Sequence, residues 1–349
     1  MRHAPLKRLL PSLIVTCVLA GLAVAGGPVR AAPVPACPQG AGTAEPMHCD
    51  AADLAAAETR VAAALASASA RLSSTGRARL RDDQASWRKL VDGLCRGGAG
   101  ARSDEASVET VDCLKEQDDI RLGQLARAVI VTGNVTFYRA ERFELRPAAN
   151  PSDAARPVRL DVAWPQLDHA GGRGQTRWNE AMAKEAEALA QPPDKEAPDT
   201  DVTVDWRVES VLPGLIQTLF WRELYIHGAA HGDNSQASSL FLLREARPLV
   251  AEDLFDPGKA WRTALARAAF TRLEAAAAAG GWTLWPKEPE EIASLAADPE
   301  RWLIAKDGLS VVFDAYDVAD YAAGPQNVVI PWNEVTPLLK PAPALKLPP

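Results

Sequence analysis

The sequence predicts an α+β protein, in which an N-terminal disulfide-stapled three-helix bundle is followed by an α+β domain with an antiparallel sheet. All four cysteines that follow residue 31 precede residue 114. Apolar residues recur at helical spacing up to residue 129, and β-branched and aromatic runs separated by turns begin at residue 130. About 318 mature residues exceed what one core usually serves. We therefore expect two domains, at 37–131 and 132–340.

The N-terminus has the order of a secretory signal peptide. Basic residues up to Arg8 precede an apolar run from Leu9 to Ala25, and small residues offer cleavage after Ala31 or Ala32. We expect residues 1–31 to be removed and the mature chain to be periplasmic or secreted. An uncleaved membrane anchor is the alternative, although glycines interrupt the run. Cys17 lies inside the run and would be lost with it.

The mature chain retains an even number of cysteines, which in an exported protein indicates two disulfides. Three pairings are possible, and sequential pairing is favoured because each pair then brackets a short polar or Gly-rich stretch. A zinc site is the rival interpretation, but no Cys-x-x-Cys is present and His48 is the only nearby imidazole. The predicted disulfides are Cys37–Cys49 and Cys95–Cys113, with no metal.

Hydrophobic periodicity places the individual elements. Three amphipathic helices are expected in the first domain, the third of them running as far as Val129. A turn at Gly133-Asn134 begins the second domain. Its strands are predicted at 158–164, 202–211, 215–226, 237–243, 302–305, 309–313 and 327–330, and its helices at 177–191, 261–279 and 290–297.

The charge balance limits the possible partners. The full chain carries 38 basic and 45 acidic side chains, a net charge of −7. Loss of four basic residues with the signal leaves 34 against 45, which is −11. This balance disfavours nucleic acid and anionic membranes. It suits a basic partner, although negative charge also serves solubility alone.

The first domain combines a regular cysteine spacing with a Gln-x-x-Trp step before the third cysteine. The residues of this pattern are Cys37, Cys49, Gln84, Trp87, Cys95, Cys113, Arg121 and Leu122. The pattern resembles the N-terminal domain of the LprI family of lysozyme inhibitors over residues 37–127. It departs from the family at Arg88–Asp92, where an Arg-Asp pair is usual. The resemblance implies a protein that binds lysozyme.

A second set of landmarks follows in one order along the chain: Tyr225, Gly228, His231, Gly232, Trp302, Phe313, Tyr316, Tyr321, Gly324, Pro331 and Trp332. The glycines of the set permit turns, and its aromatic rings serve either a core or an interface. The set resembles the extracellular domain shared by the anti-sigma factor RsiV and the cell-wall deacetylase PdaC, over residues 205–339. RsiV uses its version to bind lysozyme.

Catalytic motifs do not emerge from the sequence. His227, His231 and Asp233 could form a metal or acid/base site, but Gly-Ala-Ala between the histidines favours a turn, where helical spacing is not assured. We expect a protein without catalytic residues, metal or cofactor, whose partner is a c-type lysozyme or another cell-wall-acting protein. A non-inhibitory envelope sensor or peptidoglycan-associated module is the alternative, and a hydrolase is the third class.

Overall fold

The computed structural model describes residues 51–96, 108–150, 156–191 and 199–344. Contacts divide the chain into Met1–Ala36 and Cys37–Pro349, and every described residue lies in the second unit. The predicted signal peptide, the disulfide between Cys37 and Cys49, and most of the predicted loop at 192–200 lie outside the described residues. No helix in the described part of the chain has the length and hydropathy needed to cross a membrane.

Three helices open the described chain, as the apolar spacing predicts. They are α1 (Ala51–Ala70), α2 (Ser74–Arg96) and α3 (Val108–Ala126). A disulfide between Cys95 and Cys113 joins the end of α2 to the start of α3, with 5.7 Å between their Cα atoms. The predicted third helix was too long, because the β-branched Val129 instead begins a strand.

Seven strands form the larger sheet in sequence order. All neighbours pair antiparallel except β3 and β4, which are parallel and are connected through helix α4 (Arg173–Leu189). Parallel neighbours need such a crossover, so the sheet is mixed rather than wholly antiparallel. The strands are β1 (Val129–Thr132), β2 (Val135–Arg146), β3 (Val158–Leu167), β4 (Thr200–Leu212), β5 (Leu215–Ile226), β6 (Asp233–Leu242) and β7 (Arg247–Pro248).

A second, three-stranded antiparallel sheet follows. Its strands are β8 (Trp302–Ile304), β9 (Gly308–Phe313) and β10 (Gln326–Pro331), with β9 in the centre. Helix α5 (Trp261–Gly280) precedes it and ends at Gly281, whose φ of 70° is the left-handed conformation that stops helices. Two single-turn helices complete the region, α6 (Ala293–Ala296) and α7 (Trp332–Val335).

The buried residues form two large cores. One lies between the larger sheet and helices α1 to α4, and includes Val61, Leu80, Leu125 and Trp178. The other lies between α5, the smaller sheet and the ends of β5 and β6. This arrangement confirms the α+β class. The domain boundary between residues 131 and 132 stays a prediction, and the first core takes residues from both sides of it.

Candidate functional site

Three residues of the LprI-like pattern meet inside the helical region. Arg121 on α3 is fully buried and donates from Nε to Oε1 of Gln84 on α2, at 2.8 Å. Its guanidinium lies 5.5 Å from the ring centroid of Trp87, also on α2, and 5.6 Å from that of Phe143 on β2. Burial of an arginine requires paired donors, so these residues hold the two helices together rather than facing solvent.

The same arginine connects the helices to the larger sheet. Arg121 Nη1 donates to Oε1 of Glu141 on β2 at 2.9 Å, and Nε of Arg139 lies 2.5 Å from that oxygen. Arg139 in turn binds Asp205 on β4. Burial would raise the pKa of Glu141, but the two arginines outweigh it and lower the pKa. Glu141 is therefore a buried carboxylate held in its charged form by two cations.

Two further carboxylates in this network carry raised pKa values. Asp83 on α2 binds Arg79 at 2.8 Å and accepts from the backbone N–H of Glu141 at 3.0 Å, yet burial raises its pKa to about 6. Burial also raises the pKa of Asp161 on β3, which accepts from Gln124 at 3.2 Å. The network is enclosed, so its residues position helices on the sheet and do not present a site that a ligand can reach.

The turn after β5 is built from the residues that the second resemblance names. Gly228 has a φ of 85°, a conformation that favours glycine. At Gly232, a Cβ atom would lie 2.9 Å from the carbonyl oxygen of Leu224, so a side chain would force the strands apart. The hydroxyl of Tyr225 donates to the carbonyl of Ala229 at 3.1 Å and closes the turn.

The two histidines of this turn have different surroundings. His227 has a side chain only 2% exposed, and its Nε2 lies 3.0 Å from Oδ1 of Asp201. His231 is exposed, with Nδ1 2.8 Å from the carbonyl oxygen of Gly232 and its ring stacked on Tyr321 at 4.4 Å. The described residues contain no group of three His, Cys, Asp or Glu side chains placed to hold a metal ion.

Four aromatic side chains form a row on the surface beside this turn, which we call the aromatic row: Trp285, Tyr316, Tyr321 and His231. Ring centroids lie 6.3 Å apart from Trp285 to Tyr316, 5.7 Å from Tyr316 to Tyr321, and 4.4 Å from Tyr321 to His231. The angles between adjacent ring planes are only 29°, 32° and 21°. Sequence reasoning named three of these residues but missed Trp285, which has no neighbouring landmark in the chain.

A groove of about 340 Å³ adjoins the His231 end of the row. Tyr321 belongs to both features, and Nδ2 of Asn234 lies 3.4 Å from its hydroxyl. The other lining side chains are mostly polar and come from β4 and β5: Asp201, Thr203, Glu223 and Tyr225. Oxygen acceptors therefore predominate in a groove that adjoins the aromatic row.

The remaining landmark residues lie at structural positions. Trp302 and Phe313 are fully buried in the second core, and Trp302 Nε1 donates to the carbonyl of Ala296 at 2.9 Å. Gly324 has a φ of 66°, and Pro331 directly precedes α7. Of the aromatic landmarks, Trp302, Phe313 and Trp332 thus pack inside, whereas Tyr316 and Tyr321 lie at the surface. Their functional roles stay predictions.

The chain resembles two solved structures, both of DUF3298 family proteins. One, from Bacteroides fragilis NCTC 9343, is 18% identical, with a TM-score of 0.45 over 61% of this chain and 96% of that chain. The other, from Pseudomonas aeruginosa PAO1, is 14% identical, with a TM-score of 0.44 over 60% and 95%. No curated protein matches the chain. At these values the two structures carry no argument about function.

Two family models match separate parts of the chain. One, for a protein family of unknown function, covers residues 252–333, which include Trp285, Tyr316 and Tyr321 but not the turn after β5. The other covers residues 36–125, nearly the range expected from the cysteine and tryptophan pattern. The chain therefore matches the model described as lysozyme inhibitor LprI over residues 36–125 and the DUF3298 model over residues 252–333.

Proposed function

We propose that the protein is exported, binds a c-type lysozyme through the exposed surface of α1 to α3, and slows cleavage of the cell wall without catalysing a reaction itself. The observation that carries this proposal is the LprI match, whose range of 36–125 spans the three described helices. Their buried residues are occupied by packing and by the ionic network, so a partner would meet the outward-facing side chains.

Rigidity of the helical surface supports tight binding. The Cys95–Cys113 disulfide fixes α2 against α3 at one end, and Arg121 fixes both helices to β2 through Glu141. A surface that is already ordered loses little conformational entropy when it binds. The helical region therefore offers a preformed contact face.

The negative charge that would attract a basic enzyme lies mostly in residues 132–349, outside the helical region. Residues 37–131 carry 14 acidic and 12 basic side chains, a net charge of −2. Residues 132–349 carry 31 acidic and 22 basic side chains, a net charge of −9. Electrostatic steering acts over about 8 Å at physiological salt. The sheet-containing part would therefore speed the encounter, whereas the nearly neutral helices would make the contact.

The test measures lysis of a peptidoglycan suspension by a c-type lysozyme, with increasing amounts of the mature protein at low and physiological salt. We expect inhibition that saturates near one equivalent, with slower association at the higher salt. Calorimetry on the same samples separates the alternatives. A complex without any change in lysis rate would favour an envelope sensor, and no complex at a large molar excess would overturn the proposal.

Charge-matched variants locate the contact. Glu58→Lys with Asp119→Lys changes exposed positions on α1 and α3. Glu252→Lys with Glu274→Lys makes the same change in net charge at exposed positions outside α1 to α3. If α1 to α3 make the contact, the Glu58→Lys/Asp119→Lys variant should inhibit lysozyme less strongly than the Glu252→Lys/Glu274→Lys variant. Equal losses of inhibition in the two variants would indicate that these charges act only through electrostatic steering.

N-terminal sequencing of the exported protein tests the predicted signal-peptide cleavage, which should leave a chain that starts at Ala32 or Pro33.

A further inference from the structure

The aromatic row is not required by either core. Trp285 is 45% exposed and Tyr316 is 48% exposed. Neither belongs to the buried clusters on either side of the sheets. Large aromatic side chains left in water forgo the stabilisation that burial would give them. A run of four contacting rings, in which Trp285 and Tyr316 are nearly half exposed, is therefore an unusual surface feature that a partner would explain.

Local backbone geometry adds to this picture. Tyr316 has a φ of 71°, and a bulky residue rarely adopts the left-handed conformation. Such conformations persist where the surroundings impose them, and they concentrate at binding sites. Here the conformation places the Tyr316 ring between Trp285 and Tyr321 and makes the row continuous.

We propose that the aromatic row and the adjoining groove bind a linear, uncharged polysaccharide built of pyranose rings. The C–H faces of such sugars are apolar and stack on aromatic faces, while their hydroxyl groups lie at the ring edges and need hydrogen-bond partners. The row supplies two neighbouring rings that are nearly half exposed, Trp285 and Tyr316, with Tyr321 next to them. The groove supplies carboxylate, amide and hydroxyl groups from Glu223, Asn234 and Thr203. Its volume of about 340 Å³ falls in the range of small-ligand sites.

The charges beside the row are mostly negative, and the cation Arg156, which lies over the Tyr225 ring, is paired with Asp201. Glu223 lines the groove, and Asp233 and Asp320 adjoin Asn234 and Tyr321 in the chain. All three carboxylates are exposed. They would repel nucleic acid or a sulfated glycan, but they can accept hydrogen bonds from neutral hydroxyl groups. The shape also differs from a protein contact, where the strongest residues cluster centrally within a rim. These rings instead contact one another in succession.

The experiment mixes the full mature protein with insoluble chitin and with cellulose, both uncharged pyranose polymers, and measures the fraction that sediments. We expect retention on at least one polymer, and at least a tenfold weaker apparent affinity for the Trp285→Ala/Tyr316→Ala variant. Trp285→Phe/Tyr316→Phe keeps both rings and should retain binding. Val131→Ala removes an equally exposed apolar side chain on β1 and serves as the control. Thermal unfolding verifies that each variant is folded.

The outcomes separate this inference from lysozyme binding. The row lies outside the LprI-matched region, so the alanine variant should still inhibit lysozyme on a soluble oligosaccharide substrate. No sedimentation with either polymer, or equal sedimentation of wild type and alanine variant, would overturn the polysaccharide site. Loss of lysozyme affinity with unchanged polymer retention would assign the row to a protein contact, which also overturns it. The sedimentation results do not depend on whether α1 to α3 bind lysozyme.

Discussion

Gln84 and Arg121 are 37 residues apart in the chain, yet the Oε1 atom of one accepts from the Nε atom of the other at 2.8 Å inside the helical region. Both were part of the sequence pattern that resembles LprI. Their contact shows why such a pattern is recognisable: a buried guanidinium must be paired on several sides. The residues that pair with Arg121 must therefore occupy fixed positions in the sequence and in the fold.

Replacing Arg121 by methionine should strongly destabilise the protein. The change leaves Glu141 buried with one of its two cations, and breaking a buried ion pair typically costs about 3–5 kcal/mol. Urea unfolding of wild type and variant measures the loss. Arg60→Met breaks an exposed pair with Asp119 and should cost less than about 1 kcal/mol. Equal losses in the two variants would contradict a structural role for the network.

Stability should rise as the pH falls from 7 towards 5, and Asp83 should contribute to this rise. Its pKa is about 6 in the folded protein against an ordinary 3.8, so the folded state binds more protons between these values. Stability therefore falls as pH rises through that window, by at most about 1.4 kcal/mol per pH unit for one proton. Asp118 and Asp314, whose pKa values burial also raises to about 6, act in the same direction.

Asp83→Asn should flatten this dependence, because asparagine carries no titrating proton. Urea unfolding midpoints at four pH values between 4.5 and 7.5 give the slope of stability against pH for the wild type and for the variant. An unchanged slope in the variant would remove Asp83 from the explanation. Below about pH 4 stability should instead fall as the pH falls. The folded protein favours the charged forms of Glu141 and Asp253, whose pKa values are lowered, and this stabilisation is lost when they are protonated.

Replacing both Cys95 and Cys113 by serine should lower the free energy of unfolding by about 3 kcal/mol, the chain-entropy value for a loop of this length. The two residues are 18 apart in sequence. The double variant also tests the second predicted disulfide. If Cys37 and Cys49 are bonded, adding reductant to the variant lowers its melting temperature further, and peptide mapping without reductant finds no free thiol. A free thiol in the wild type would contradict the pairing.

His227 and His231 should respond differently to alanine. The side chain of His227 is buried against Asp201, so its loss should cost about 1–3 kcal/mol. His231 is exposed, and its loss should cost less than about 1 kcal/mol. Metal analysis of the purified wild type accompanies the measurement, since stoichiometric zinc would contradict the structural interpretation of both residues.

Most helices and strands were predictable because each one repeats apolar residues at its own period. The helix with Leu80, Trp87 and Leu90 on one face and the strand at 215–226 are examples. Other features depend on which elements become neighbours. Periodicity does not show that β3 and β4 pair in parallel, nor that Trp285 reaches Tyr316 from 31 positions away. Glu141 also resembled an ordinary solvent-facing strand residue, because charged residues at alternate positions, such as Arg139 and Glu141, usually face solvent and Arg121 lies 20 positions away on α3.

The dependence of Arg121 on Glu141 bears on how the helical region could be transferred between proteins. A fragment that ended at residue 131 would retain Gln84 and Trp87 but would lose Glu141, the carboxylate that lies beneath its central arginine. If a gene fusion moved the three helices to another chain, the new neighbouring segment would have to supply an acidic side chain in the place of Glu141. Otherwise Arg121 itself would have to be replaced. The hairpin of β1 and β2 is therefore part of what is inherited with the helices.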